Sequence, residues 1–306
     1  MQDVIGKVAV VTGGSSGIGR GIALAFARAG MKVVVTGRRQ EHLDETAEVF
    51  AGLGLDVHPM RVDVTDLAAM RAAADDIEQR FGRIDVLVNN AGIGLTGPVA
   101  DAVPEDWDWV IDVNIKGVGN GIQAFLPKIR SHGEGGHIVN TSSMAALMPI
   151  VAGLYSMTKA AVVALSEALH IELLDEGIAV SAYCPGPVHS NIATAVAARP
   201  EKYGESGYAP PDPSFAEFAK SQPYQSAEEA GERVLQGVRR GDMFILTHAE
   251  FKAGVVDRHR TIEDAFPDEP VNEERARAIP FLLSSPVYDE DHRLAPPHAP
   301  ASVPAT

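Results

Sequence analysis

Cysteine is almost absent: Cys184 is the only one in 306 residues, so no disulfide can close within the chain. It ends an apolar run beside Pro185 with no base nearby in sequence, which reads as a buried structural thiol. Ten histidines are present, none in HExxH or another paired-ligand spacing, so no metal site is expected. Positive charge is scarce: 26 Lys and Arg stand against 41 Asp and Glu, a formal charge of −15 that repels phosphate backbones and anionic lipid. No nucleic acid and no membrane are expected as partners, which leaves small soluble ligands. No apolar run reaches the roughly eighteen residues of a membrane span. Even residues 151–169 are broken by Tyr155, Ser156, Lys159, Ser166 and Glu167. The first residues, MQDVIGKVAVV, lack the basic start and cleavage site of an export signal, so a cytoplasmic setting is the expectation.

What the chain does have is rhythm. Hydrophobic residues make up 45%, enough for a sizeable core. Short, nearly continuous β-branched runs at 7–12, 32–36, 57–62, 85–89, 137–142, 178–184 and 243–247 read as strands covered on both faces. Helical patterns at 17–29, 41–53, 66–81, 104–130 and 153–175 lie between the first six, and 226–240 precedes the seventh. This alternation predicts an α/β fold, a doubly wound parallel sheet of seven strands in a single domain over residues 1–266. Residues 190–225 have no clear period and read as a long loop, of the kind that is functional or disordered. Residues 267–306 hold eight of the twenty prolines, with seven acids against three bases, and form a poorly packing C-terminal extension.

Chemistry concentrates at the strand ends. Thr12-Gly13-Gly14-Ser15-Ser16-Gly17-Ile18-Gly19 stands where the first strand meets the first helix, and glycines there let a backbone approach a pyrophosphate at the positive helix end. After the second strand, Gly37 occupies the place where a carboxylate would grip ribose hydroxyls. Arg38 and Arg39 follow it and suit a 2′-phosphate by charge and fork geometry, although they would also serve as solvated bases at a helix start. Tyr155 and Lys159 are four apart and share one helix face, so the ammonium can lie near the phenol and favour phenolate. That makes Tyr155 a candidate general acid/base.

These residues, together with Asp63-Val64, Asn89-Asn90-Ala91-Gly92, Asn114, the pair Ser142-Ser143 and Pro185-Gly186, resemble the short-chain dehydrogenase/reductase family over about residues 5–250. The resemblance implies a Rossmann-type domain in which Gly13, Ser15, Ser16, Gly17, Ile18 and Gly19 cradle the cofactor phosphates. Asp63 and Val64 would meet the adenine, and Asn90, Ala91 and Gly92 the ribose side. Pro185, Gly186 and Val188 would meet the nicotinamide carboxamide. It makes Tyr155 the proton donor or acceptor, has Lys159 hold the nicotinamide ribose, and has Asn114 seat a water of a proton relay. The family's serine stands thirteen residues before the tyrosine, a spacing that points to Ser142, whereas the motif HIVNTSSMA places it at Ser143. The strand fixes its phase and the loop absorbs a deletion, so Ser143 is preferred. Ser16 stands where NADP-preferring members often carry a base.

The resulting expectation is an enzyme that interconverts a secondary alcohol and a ketone with NADP(H), NAD(H) being possible, and that assembles as a homodimer or homotetramer. Ser190-Asn191-Ile192, the run from Arg199 to Tyr203, and Ser206-Gly207-Tyr208 resemble the loop of dehydrogenases that oxidise the benzylic Cα alcohol of lignin-type aryl ethers. Bulky aromatic substrates would then meet Met144, Leu147, Met148, Leu154, His189, Ile192, Val196, Tyr203 and Tyr208. A hydroxysteroid or alicyclic ketone reductase would use the same catalytic residues. A non-catalytic nucleotide-sensing protein would keep the glycine loop without needing Ser143, Tyr155 and Lys159.

Overall fold

The computed structural model describes residues 1–209 and 213–288. Seven strands, β1 (Val8–Thr12), β2 (Lys32–Gly37), β3 (Val57–Arg61), β4 (Val86–Asn89), β5 (Gly136–Thr141), β6 (Ile178–Cys184) and β7 (Phe244–Leu246), form one all-parallel sheet in the order β3-β2-β1-β4-β5-β6-β7. The order reverses between β1 and β4, and the carboxyl ends of these two strands open the crevice where ligands bind in such sheets.

Residue alternation assigns the two faces. Ala9, Val11, Val33, Val35, Val86 and Val88 pack with Ile22 and Phe26 of α1 (Gly17–Arg28), with Leu43 and Phe50 of α2 (Gln40–Gly52), and with Val234 and Val238 of a helix late in the chain. Val8, Val10, Val34, Leu87, Ile138 and Val180 pack on the other side against α3 (Leu67–Phe81) and two helices further along the chain. β1, β4, β5 and β6 are therefore buried along their whole length, which is why they lack the polar alternation of an exposed sheet, while the edge strands β3 and β7 are partly open.

The helical stretch expected at 104–130 is interrupted. It runs as α4 (Pro104–Ile111), a π-helical turn at Asp112–Lys116, and α5 (Gly117–Ser131). A π-turn accommodates one extra residue per turn and recurs at functional sites; this one carries the fully buried Asn114. The short α6 (Met144–Leu147) follows β5, and α7 (Gly153–Leu173) presents Tyr155 and Lys159.

Residues 190–225 depart from the expectation of an irregular loop. They contain 3-10 turns at Ile192–Ala198 and Glu201–Tyr203 and the helix α8 (Pro213–Ser221). Tertiary bonds hold the first part. Arg199 is buried against Asp106 of α4, its Nη1 2.6 Å from Oδ1, while its other nitrogens donate to the carbonyls of Gly204, Tyr203 and Glu205. Asp106 also accepts from Ser206 Oγ at 2.7 Å and from the amides of Gly207 and Val103. The period of the sequence is silent here because side chains clamp the loop from outside. Helices α9 (Ala227–Arg240), α10 (Lys252–Glu263) and α11 (Glu273–Ala278) complete the described chain. Of the extension at 267–306, residues 289–306 lie outside the described residues; Tyr288 donates its hydroxyl to Glu167 of α7 at 2.8 Å.

Candidate active site

Two cavities meet at the carboxyl edge of the sheet. The first, about 240 Å3, runs over the β1–α1 loop from Arg38 and Asp63 to Lys159. The second, about 670 Å3, opens from Ser143 toward α8 and the start of α9. Tyr155 lines both, as do Ser15–Ile18, Pro185 and Ile192.

The glycine loop is built for close approach. Gly13 has φ +63°, and a Cβ there would lie 2.8 Å from Cα of Ala91, so the β1 and β4 loops can touch only without a side chain. Thr12 ties them, its Oγ1 accepting from the amides of Asn90 at 2.9 Å and Ala91 at 3.1 Å, and Asn90 Nδ2 returns a bond to Thr12 O. At the head of α1, Ser16 is extended and makes no side-chain cap bond, and no acidic residue stands in the first turn. That helix end fits a pyrophosphate: its first-turn amides carry partial positive charge with no local carboxylate to neutralise them.

At the adenosine end, Gly37 faces Ser15, whose Oγ would lie 2.8 Å from any Cβ at position 37. Arg38 spends one donor, Nη2, on the carbonyl of Ala198 at 2.9 Å, and Arg39 Nη2 lies 3.0 Å from His42 Nδ1. Both guanidiniums line the first cavity with donors to spare. Asp63 accepts from the amide and hydroxyl of Thr65 through one oxygen, and Val64 lies beside it. Gly19, Asn90, Ala91 and Gly92 line the same cavity, whereas Gly186 and Val188 border the second.

The two serines have different tasks. Ser142 is buried and donates Oγ to the carbonyl of Lys159 at 2.7 Å, which pins α7 to β5. Ser143 caps α6, accepting from the Ala145 amide at 3.1 Å, and its hydroxyl is the hydrogen-bond partner of Tyr155. Lys159 is buried, donates Nζ to Thr141 O at 2.9 Å, and sits 5.6 Å from the Tyr155 ring centroid. Asn114 spends its side chain internally, accepting from Ile93 N and donating to Ile93 O, both at 2.9 Å, and to Thr158 Oγ1 at 3.1 Å. Thr158 passes this on to Tyr155 O at 2.8 Å. The Asn114 amide therefore braces α7, spending both of its N–H donors within the protein.

Burial raises the Tyr155 phenol above its ordinary value, partly opposed by the Ser143 hydrogen bond, and burial lowers Lys159 to about 8. In the protein alone the ammonium does not draw the phenol toward neutrality, because desolvation penalises both charged forms. Burial likewise lifts the Cys184 thiol to about 12, in keeping with a structural thiol.

Of the nine side chains expected to wall the substrate, only His189 and Ile192 border the second cavity. Leu154 and Tyr203 are core residues, packed with Trp109, Val110, Ile93 and Leu95, and Val196 and Tyr208 lean on the same cluster. The Tyr203 hydroxyl donates to Asp112 at 2.8 Å, so its polar end is satisfied inside. Leu147 packs on Ala146, Val163 and Cys184, and Met148 faces Gly254 of α10. Met144 begins α6 outside the cavity lining. The loop motifs from Arg199 to Tyr208 thus serve the clamp on Asp106. The second cavity is instead bounded by Leu95, Thr96, Ile150, Ala152, Pro187 and Tyr224, among others. Leu95 and Thr96 were findable, since the loop after β4 starts at the crevice; Tyr224 had no periodic signal.

Among the described residues no group of three or more His, Cys, Asp and Glu could hold a metal ion, and no helix is long and apolar enough to cross a membrane.

Residues 7–201 match the short chain dehydrogenase family. The chain belongs to that family. It is 36% identical over 280 residues to the C alpha-dehydrogenase of Sphingobium sp. strain SYK-6, covering 90% of this chain and 92% of that one. A short chain dehydrogenase/reductase from Burkholderia phymatum, solved in complex with NAD, superposes with a TM-score of 0.80 at 34% identity, covering 89% of this chain and all of the other (100%). The apo form of LigO from Sphingobium sp. strain SYK-6 gives a TM-score of 0.76 at 37% identity, covering 92% and 98%. This short chain dehydrogenase is therefore an oxidoreductase acting on CH–OH groups, with the doubly wound single-domain fold of its family.

Proposed function

We propose that this dehydrogenase interconverts a bulky, aromatic secondary alcohol and its ketone, prefers NADP(H) over NAD(H), and uses Tyr155 as the general acid/base. The observation that carries the reading is the place of Tyr155, at the junction of the two cavities, with Ser143 on its hydroxyl and Lys159 beneath its ring. When bound, a nicotinamide cofactor supplies or accepts the hydride at the carbinol carbon. The chain's own residues do the rest. Ser143, held by the Ala145 amide and bonded to the Tyr155 hydroxyl, would turn its O–H to the substrate oxygen when that oxygen arrives between them. Tyr155 gives that oxygen its proton in reduction and takes it back in oxidation. Lys159, buried and held by Thr141 O, presents positive charge to the site, and Asn114 and Thr158 keep the helix in phase.

The preference for NADP(H) is supported by Gly37, which leaves room, and by Arg38 and Arg39, whose free donors suit a 2′-phosphate. One charge-assisted contact is worth about 1.5–3 kcal/mol, roughly ten- to a hundredfold in affinity. An acidic side chain at position 37 would press on Ser15 and repel the phosphate. Relatives do not decide the matter, since the Burkholderia structure contains NAD. The aromatic class is supported by the similarity to the Sphingobium C alpha-dehydrogenase and by the size of the second cavity.

The test is steady-state kinetics with NADPH and NADH on aryl ketones. Wild type should favour NADPH, Gly37→Asp with Arg38→Val should reverse that order, and Tyr155→Phe should lose several orders of magnitude in kcat while still binding cofactor. A wild type that prefers NADH, or near-normal turnover by Tyr155→Phe, overturns the corresponding part of the reading.

A further inference from the structure

The second cavity has one wall that the catalytic groups do not account for. His189 and Tyr224 both line it, with their ring centroids 5.5 Å apart and their planes tilted by 43°. The two residues are 35 positions apart in sequence, and backbone pairing brings them together: His189 N donates to Gln225 O at 2.9 Å and Gln225 N to Pro187 O at 3.1 Å, closing an isolated parallel bridge between Val188 and Gln225. Pro187 precedes one arm and Pro223 the other, and each fixes its own φ. The main chain thus places both residues side by side, with their rings packed on each other, on a cavity that also receives Tyr155 and Ser143.

From this geometry we infer that His189 and Tyr224 form an aromatic shelf that selects a flat aryl group on the carbon to be oxidised or reduced. The inference rests on the alcohol–ketone reading above and assigns its substrate preference to these two side chains. The physical reason is shape and charge distribution. An aryl ring offers a planar face and a quadrupole that pair with a tilted ring, while a saturated ring of the same size is puckered and keeps axial hydrogens between the faces. A shelf whose backbone is already paired spends less ordering entropy on binding than a free loop would. Aromatic pairing of this kind is worth about two- to tenfold beyond area burial.

The experiment compares acetophenone with cyclohexyl methyl ketone, which share the reacting carbonyl and differ in ring planarity, in wild type, Tyr224→Leu, His189→Leu and Tyr224→Phe. The expected result is a higher kcat/KM for acetophenone in wild type, a ratio that shrinks about two- to tenfold in each leucine variant and is retained in Tyr224→Phe, which keeps the ring. An unchanged ratio in the leucine variants, or an equal loss on both ketones, overturns the shelf. Saturation-transfer NMR on the cofactor-loaded protein with 1-phenylethanol separates this from the reaction itself. If wild type turns over neither ketone, the proposed reaction fails; ring-proton saturation lost in Tyr224→Leu and kept in Tyr224→Phe then still supports the shelf, and its absence in wild type overturns it.

Discussion

Asp106→Asn isolates the clamp that holds the 199–208 segment to α4. The Asp106 side chain is 0% exposed and that of Arg199 7%, and the carboxylate accepts four bonds: from Arg199, Ser206, Gly207 and Val103. The amide keeps the shape and one acceptor oxygen but leaves the guanidinium buried over the Trp109 ring without its counter-charge. Breaking a buried pair in this way costs about 3–5 kcal/mol. For a domain of this size each kcal/mol moves Tm by about 2–4 °C, so the variant should melt about 6–20 °C lower by calorimetry. Acid titration gives a second check. Burial alone would raise the Asp106 carboxyl, but the bonds from Ser206, Arg199, Gly207 and Val103 outweigh it and hold the group below the usual carboxylate range. A depressed carboxyl stabilises the fold above its unfolded pKa of about 3.9 and loses that contribution as pH falls through the lower folded value. The Tm gap between wild type and variant should accordingly be flat from about pH 5 to 8 and close below about pH 4. A gap under one or two degrees near neutrality, or one that widens in acid, refutes the reasoning.

Ser143→Ala should lower kcat by about 10²–10³ with little change in melting, as for a lost donor to a reacting oxygen, whereas Ser142→Ala should cost about 1 kcal/mol of stability from its lost bond to Lys159 O and far less rate. If Ser142→Ala is the more damaging to kcat, the assignment is reversed. Because burial lowers Lys159 to about 8 while an unfolded lysine titrates near 10.4, the unfolded state binds more protons between those values. Wild type should therefore gain stability relative to Lys159→Met from pH 8 to 10, and a constant difference in denaturant unfolding would show that Lys159 is not desolvated. Met157, Leu165 and Ile171 on α7 are at least 36% exposed. Light scattering should find a symmetric oligomer that covers them, and a monomer at all concentrations would contradict this.

The strands and most helices were legible because a sheet buried on both faces needs continuous apolar runs, and a helix needs its own period. The glycine loop and the Tyr155/Lys159 pair were legible for a related reason: a close backbone approach and a shared helix face are local properties of spacing. Gly37, too, declared itself as a missing carboxylate. What the sequence alone did not reveal depends on partners far along the chain. Adjacent Ser142 and Ser143 point in different directions because one is consumed by the carbonyl of Lys159 and the other caps α6. The π-turn at Asn114 interrupts a pattern that reads as one helix. Tyr203 reads as a pocket residue, and Arg199 as part of a substrate loop by resemblance, yet Trp109 and Asp112 draw the first into the core and Asp106 binds the second. The ring pair of His189 and Tyr224 comes together because a two-bond bridge pairs Val188 with Gln225 across a long excursion of the chain, a contact to which no local period responds.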